Sequence, residues 1–271
     1  MRTLGFALLW MLVVAAGCRV SHLTSEEARE SLEESSVASQ AEALTAASVE
    51  ISTDFTIGEA VQNAAQQIRS FVESQLPCAE ITLEQATLTI EYGARSGNCV
   101  YRGHSLSGTH VISVESNDEH DVIVQHSWDG LSNGRVSVTG EATVTWSLED
   151  RSRHIVHELT WTRLSDGRTG VGTGNRTQTA LSGGIAEGIE VDGTRGWETD
   201  RGRWDLTIDH VQMRWIDPVP QSGAYVLETP FDKTVTLSFD RLDEDSIAVT
   251  ASSGDRNIKL KINKLGLISR Q

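Results

Sequence analysis

Three histidines and three cysteines are the side chains of this chain whose types and spacing could carry chemistry. His110, His126 and His157 each fall in phase with the aliphatic residues of their own alternating segments, so a β reading turns all three toward the buried face. If Val114 opposes Val122, then His110 opposes His126 and Gly108 opposes Trp128. Two facing imidazoles are half of a metal site. His157 falls about four residues away along the sheet, about 13 Å, and supplies no third ligand. His110 and His126 therefore stand as a bare candidate pair, with core histidines as the simpler reading. No metal or other cofactor is expected.

Other patterns carry little. GVGTGN is a glycine-rich loop outside any βαβ unit, and RHIVHE is not HExxH. On a strand, His154 and His157 of that stretch point to opposite faces. DRLDEDS lacks the glycine and terminal glutamate of an EF-hand loop. Asn175-Arg176-Thr177 is a glycosylation sequon in form only. GHSLSG lacks the spacing of a nucleophile elbow. No catalytic constellation emerges, and the chain reads as a non-enzyme.

The elements that would position these residues are mostly strands. From about residue 80 onward, apolar and polar residues alternate in short runs separated by Gly, Asn, Asp and Ser. Neighbouring runs match face to face: Tyr225 and Leu227 with Val235 and Leu237, Phe239 with Ile247, and Val249 with Ile258. A three-residue loop at Ser132-Asn133-Gly134 would set Trp128 opposite Val138, with Gly134 in the left-handed region. An even loop near Asp150-Arg151 would set Trp146 opposite Ile155 and Gly140 under Trp161. A turn at Asp209-His210 would pair Trp204, Leu206 and Ile208 with Val211, Met213 and Trp215. Asp166 to Asp200, rich in glycine, reads as irregular or as a mobile edge.

The fold class is thus all-β with one N-terminal helix. It is an antiparallel meander of roughly a dozen strands closing as a barrel, a folded half-barrel or a sandwich. The six tryptophans beyond residue 17 share the apolar phase and read as core. The helix spans Ile57 to Leu76. Thr56 and Glu59 fit a capping box, Phe55 and Ala60 a hydrophobic staple, Ile57 to Leu76 an apolar stripe, and Pro77 a stop. Residues 18–52, dominated by Glu and Ser in SEEARESLEESS and devoid of aromatic residues, read as a tether. The folded domain is then 53–271.

The first residues give an address. Arg2 precedes the uncharged run LGFALLWMLVVAA, which is too short to span a bilayer and has the length of a signal-peptide core. Ala15-Ala16-Gly17-Cys18 resembles the lipobox of bacterial lipoproteins, with Ala15 where that family usually has Leu. The resemblance implies removal of residues 1–17 and acylation of Cys18, palmitate among the chains. Several buried acyl chains hold a protein far better than one. Arg19, in place of an aspartate, implies the outer membrane rather than the inner.

Cys78 and Cys99 remain as an even pair. In an oxidising compartment such a pair reads as a disulfide. Closing it requires the chain to double back near Glu84-Gln85, with strands at 81–83 and 86–92. The formal net charge of −15 argues against a nucleic-acid partner and against a polybasic contact with anionic lipid headgroups. The expected partners are the membrane, through Cys18, and an envelope protein. The alternative is a lipid or hydrophobic-ligand carrier, with the ligand inside the β fold and the Ile57 to Leu76 helix as a lid; a metal-dependent hydrolase ranks third.

Overall fold

The computed structural model describes residues 22–118, 122–147, 149–217 and 219–270. Cys18 and the first seventeen residues lie outside them. Two helices come first: α1, Ser25–Ile51, and α2, Val61–Gln75. The hairpin of β1 (Glu80–Glu84) and β2 (Thr87–Tyr92) follows, turning at Gln85 with φ +56°. A small separate hairpin joins β3 (Val100–Tyr101) to β4 (His104–Ser105). The long strands are β5 (Ser107–Asn117), β6 (Val122–Ser132), β7 (Val136–Ser147), β8 (Ser152–Arg163), β9 (Arg168–Ala180), β10 (Ile189–Thr199) and β11 (Gly202–Met213). Shorter strands complete the chain: β12 (Ser222–Glu228), β13 (Thr234–Arg241), β14 (Ser246–Ser253), β15 (Arg256–Asn263) and β16 (Ile268–Arg270).

Fourteen of these strands form one antiparallel sheet in chain order, β3 and β4 standing apart. β1 and β16 are its two edges and do not pair, so the meander stays open rather than closing into a barrel. Strict alternation gives it one buried and one exposed face. Along β8, for example, Arg153, Ile155, His157, Leu159 and Trp161 are buried and the residues between them are exposed. Trp128, Trp161, Trp197, Trp204 and Trp215 all belong to the core, and Trp146 is partly buried against it.

The tether expected over 18–52 is not a tether. α1 lies along the buried face of the curled sheet, in contact with β7, β8, β13, β14 and β15. Every residue from Ala41 to Ser52 is buried. Thr24 caps it: its side chain accepts from the Glu27 amide, and Glu27 answers on the Thr24 amide. The composition that reads as solvated is here a helix whose solvent has been replaced by protein. The folded unit accordingly takes in residues 22–52 as well as those from 53 onward.

α2 is shorter at its start than expected. It begins at Val61 with Ala60 as an uncapped N-cap. Thr56 and Glu59 instead join a small network, the Thr56 amide donating to Gln67 Oε1 and Gln67 Nε2 to Glu59 Oε2. α2 packs on β1, β2 and β5.

Face assignments hold while several partners move by two residues. Tyr225 faces Leu237 and Leu227 faces Val235, as expected. Phe239, however, faces Val249, and Val249 faces Leu260, because the β14–β15 turn is Gly254-Asp255. Trp128 faces Gly140 rather than Val138, since four residues separate the Ser132–Ser137 pair and a bulge follows Trp128. Gly134 does take φ +81°. Trp146 faces Arg153, not Ile155, and Gly140 faces Leu159. A two-residue slip preserves the face, whereas a one-residue slip would invert it.

Two expectations fail outright. Asp209-His210 is no turn: β11 runs through it with a bulge, His210 at φ +45°, and pairs with β10, Trp204 opposite Trp197. The glycine-rich segment is no loose edge either. β9 is a thirteen-residue strand paired along its length with β8 and β10. A Cβ at Gly170, Gly172 or Gly174 would run into Trp161, Trp197 or His157. Those glycines make room for large neighbours; they do not loosen the strand.

Candidate functional site

The chemistry of the molecule is concentrated where α1 meets the sheet. Glu34, Glu42 and Glu50 recur every eight residues along α1 and are all buried. The inward positions of the sheet answer with arginines. Glu42 bonds Arg176 of β9 at 2.7 Å and Arg195 of β10 at 2.9 Å. Glu34 bonds Arg168 at 2.6 Å, with Arg201 at 3.9 Å. Glu50 pairs with Arg153 of β8, and Arg102 lies 3.9 Å away. The result is a three-rung ionic ladder in the interior. Burial alone would raise the Glu42 carboxyl, but Arg176 and Arg195 outweigh it and hold it below the usual range. At Glu34 burial wins and the carboxyl is raised, Arg168 and Arg201 offsetting only part.

The candidate histidines lie at the C-terminal end of α1. They are not directly opposed: His110 faces Trp128 and Ile112 faces His126. Diagonally they still meet, His110 Nε2 to His126 Nδ1 at 3.0 Å. Tyr92 Oη lies 3.1 Å from His110 Nδ1, and Ser52 Oγ 3.5 Å from His126 Nε2. Ser52 Oγ donates to Val49 O, so it accepts from His126. His126 Nδ1 then accepts from His110, and His110 Nδ1 from Tyr92. Every member is satisfied with both rings neutral. Burial accordingly depresses both histidines, His126 to about 3. Trp128 stacks on both rings and donates to Ser48. The ring nitrogens are thus used on each other and on Tyr92 and Ser52, not turned to a common metal. Ser52 and His126 are not a nucleophile and base, because the hydroxyl proton is committed to Val49 O in a buried position.

His157 sits elsewhere, as expected, 3.8 Å from Glu42 and bonded to Arg176. Burial, followed by Arg176, lowers it to about 3. His154, of the same stretch, is on the exposed face. Cys78 and Cys99 lie at disulfide distance, with Cα atoms 5.4 Å apart.

No protein-family model matches the chain, and no curated protein or solved structure matches it.

The surface offers three further features. A groove of about 820 Å³ crosses the exposed face of the central strands. Glu141 and Glu158 oppose each other in it, as do Asp205 and Glu228. A cleft of about 780 Å³ opens beside Gln40 and Ala43 of α1, with exposed Ile216 and Leu265 and the Arg214–Asp217 pair on its walls. Glu190, Asp192 and His210 bring three donor atoms within 4.8 Å of one another at the β10–β11 bulge. The His210 amide donates to Asp192, and Gln212 to Glu190.

The ladder was missed from sequence, though one signal was present. Arg153 is in phase with Ile155 and Trp161, and Arg195 with Trp197. An arginine on an apolar phase calls for a buried polar or anionic partner, but nothing in the sequence picks Glu34, Glu42 and Glu50 out from the other glutamates of 18–52.

Proposed function

We propose that the protein is a membrane-anchored envelope lipoprotein that binds or supports at its surface rather than catalysing a reaction. The anchor rests on Ala15-Ala16-Gly17-Cys18. The reading against an internal ligand rests on one observation above the others: the interior is filled by the protein's own helix. α1 occupies the place a ligand would take in a carrier, and its carboxylates already use the inward arginines. The void beside Glu42, Trp161 and Trp197 measures about 20 Å³, against roughly 300 Å³ and upward for a small-molecule site. Among the described residues no helix is long and apolar enough to cross a membrane, so attachment in this reading falls to acyl chains on Cys18. The site of action is the envelope, outer membrane rather than inner, with a protein partner.

The test is intact-mass analysis of the full chain made in a lipoprotein-processing bacterium, beside Cys18→Ser. Loss of residues 1–17 with added acyl mass, abolished in the variant, is expected. Cleavage without acyl mass would sink the anchor. A co-purifying lipid in native mass spectra would favour the carrier instead.

A further inference from the structure

The start of the fold and the position of Cys18 together fix which end of the domain meets the lipid. This rests on the acylated-anchor reading above. Four peptide steps separate Cys18 from His22. Whatever path they take, covalent geometry limits their span to about 14 Å. His22 itself is held: its backbone carbonyl accepts Lys233 Nζ at 3.1 Å, and its ring lies 3.6 Å from Asp255. Leu23 is buried, Thr24 caps α1, and Glu27 binds Lys233 at 2.6 Å. The anchor therefore reaches no farther than about 14 Å. An acylated Cys18 would hold this end of the domain within about one helix diameter of the headgroups.

The surface at that end includes three turns that touch His22 or the first turns of α1, namely 199–202 through Arg201 and Glu30, 229–233 through Lys233 and Glu27, and 253–256 through Asp255 and His22, together with Arg270, which bonds Ser25, and the exposed Glu26 of α1. Each turn carries an aspartate followed by a base: Asp200-Arg201, Asp232-Lys233 and Asp255-Arg256. In a chain of net charge −15, these turns are charge-balanced. That suits proximity to an anionic surface, which would repel an acidic one. The other end of α1 lies about 40 Å away along the helix. There Glu50 meets Arg153, which directly follows the β7–β8 connection bearing Glu149 and Asp150.

We propose that the domain sits directly on the bilayer, its 199–202, 229–233 and 253–256 turns against anionic phospholipid headgroups and the C-terminal end of α1 directed away. α1 is then both the core of the fold and the rigid continuation of the anchor.

The test uses the acylated full chain in vesicles of phosphatidylglycerol and phosphatidylethanolamine containing a headgroup-level quencher. A fluorophore is attached at Asp200→Cys or at Glu149→Cys, both exposed positions. Strong quenching at 200 and little at 149 is expected. A twenty-residue Gly/Ser insertion between positions 21 and 22 should abolish the quenching at 200 while the protein still floats with vesicles. Equal or reversed quenching in vesicle-bound protein would overturn the orientation and leave the anchor standing. Protein lacking acyl mass and failing to float would overturn both.

Discussion

The two helices reverse the roles their sequences suggest. α2 carries a clear apolar stripe and buries only one face, Ala64, Ala65, Ile68 and Val72, against an edge of the sheet. α1 carries no stripe and is enclosed on all sides over its C-terminal half. A hydrophobic period reports that a helix lies at a boundary between protein and water. A helix surrounded by protein has no boundary and needs no period. What it needs is small residues for close approach and a partner for every polar group. α1 supplies the first with alanine and serine. Its serines and threonine bond back to its own carbonyls, as Ser31, Ser35, Thr45 and Ser48 do. The sheet supplies arginines for the carboxylates.

If α1's surroundings are the polar, desolvated region, acid should break the protein there first, and this is the largest expected effect. His126 and His157 titrate near 3 in the fold, against about 6.5 in an unfolded chain. Between those values the unfolded chain binds more protons. Stability therefore falls as pH drops from about 6.5 toward 3, by up to about 1.4 kcal/mol per pH unit for each histidine. His110 and Glu42, both held below their ordinary values, act in the same direction; Glu34, held above, acts against it. The unfolding free energy from urea titrations should decline by several kcal/mol in total between pH 7 and pH 4. A flat profile would contradict the neutral Tyr92–His110–His126–Ser52 chain.

The ladder gives the next effect. Glu42→Ala leaves Arg176 and Arg195 buried without a carboxylate, a loss of about 3–5 kcal/mol. On α2, Ile68→Ala removes a fully buried side chain for about 2–5 kcal/mol. The two differ in repair. Replacing Glu42, Arg176 and Arg195 together by Leu, Met and Met should recover most of the loss, because a buried ion cluster is often no more stabilising than apolar groups of its size. Failure of the triple variant to recover stability in denaturant titrations would mean the ladder contributes net stabilisation.

Much of this was legible in the sequence, and the rest was hidden for identifiable reasons. The sheet's inner face, the position of the tryptophans, the doubling back at Gln85 and the Cys78–Cys99 proximity follow from period-two patterning and chain reach. Partner registers were off by two wherever a bulge or a longer turn intervened, as at Trp128, because parity constrains the face and not the exact neighbour. The glycines of β9 suggest flexibility in the sequence because the rings of Trp161, Trp197 and His157 that cover them are set by neighbouring strands. α1 is hidden because composition measures the cost of leaving water and is silent on what takes water's place.

That account of β9 can be tested directly. Gly174→Ala places a methyl against the His157 ring, and Gly170→Ala against the Trp161 indole. Each should destabilise by about 1–3 kcal/mol through overpacking. Trp161→Phe should rescue Gly170→Ala in part and leave Gly174→Ala unchanged. Melting temperatures of the single and paired variants decide it, and equal behaviour of the two glycine variants toward Trp161→Phe would refute the pairing.

The smallest effect separates the helices at their first turns. Thr24 caps α1 through a reciprocal pair with Glu27, while the start of α2 at Ala60 has no side-chain cap. Thr24→Ala should cost about 1 kcal/mol. Ala60→Asp should do the opposite: the exposed Ala60 already has the extended backbone of an N-cap, and a carboxylate there can accept from the free amides of the first turn and favour the helix N-terminus. A gain of about 0.5–1 kcal/mol in urea denaturation is expected. It should persist in a Thr24→Ala background, since the two caps share no partner and their effects should add. Non-additivity would mean the two helices, which differ so much in their surroundings, form as one unit.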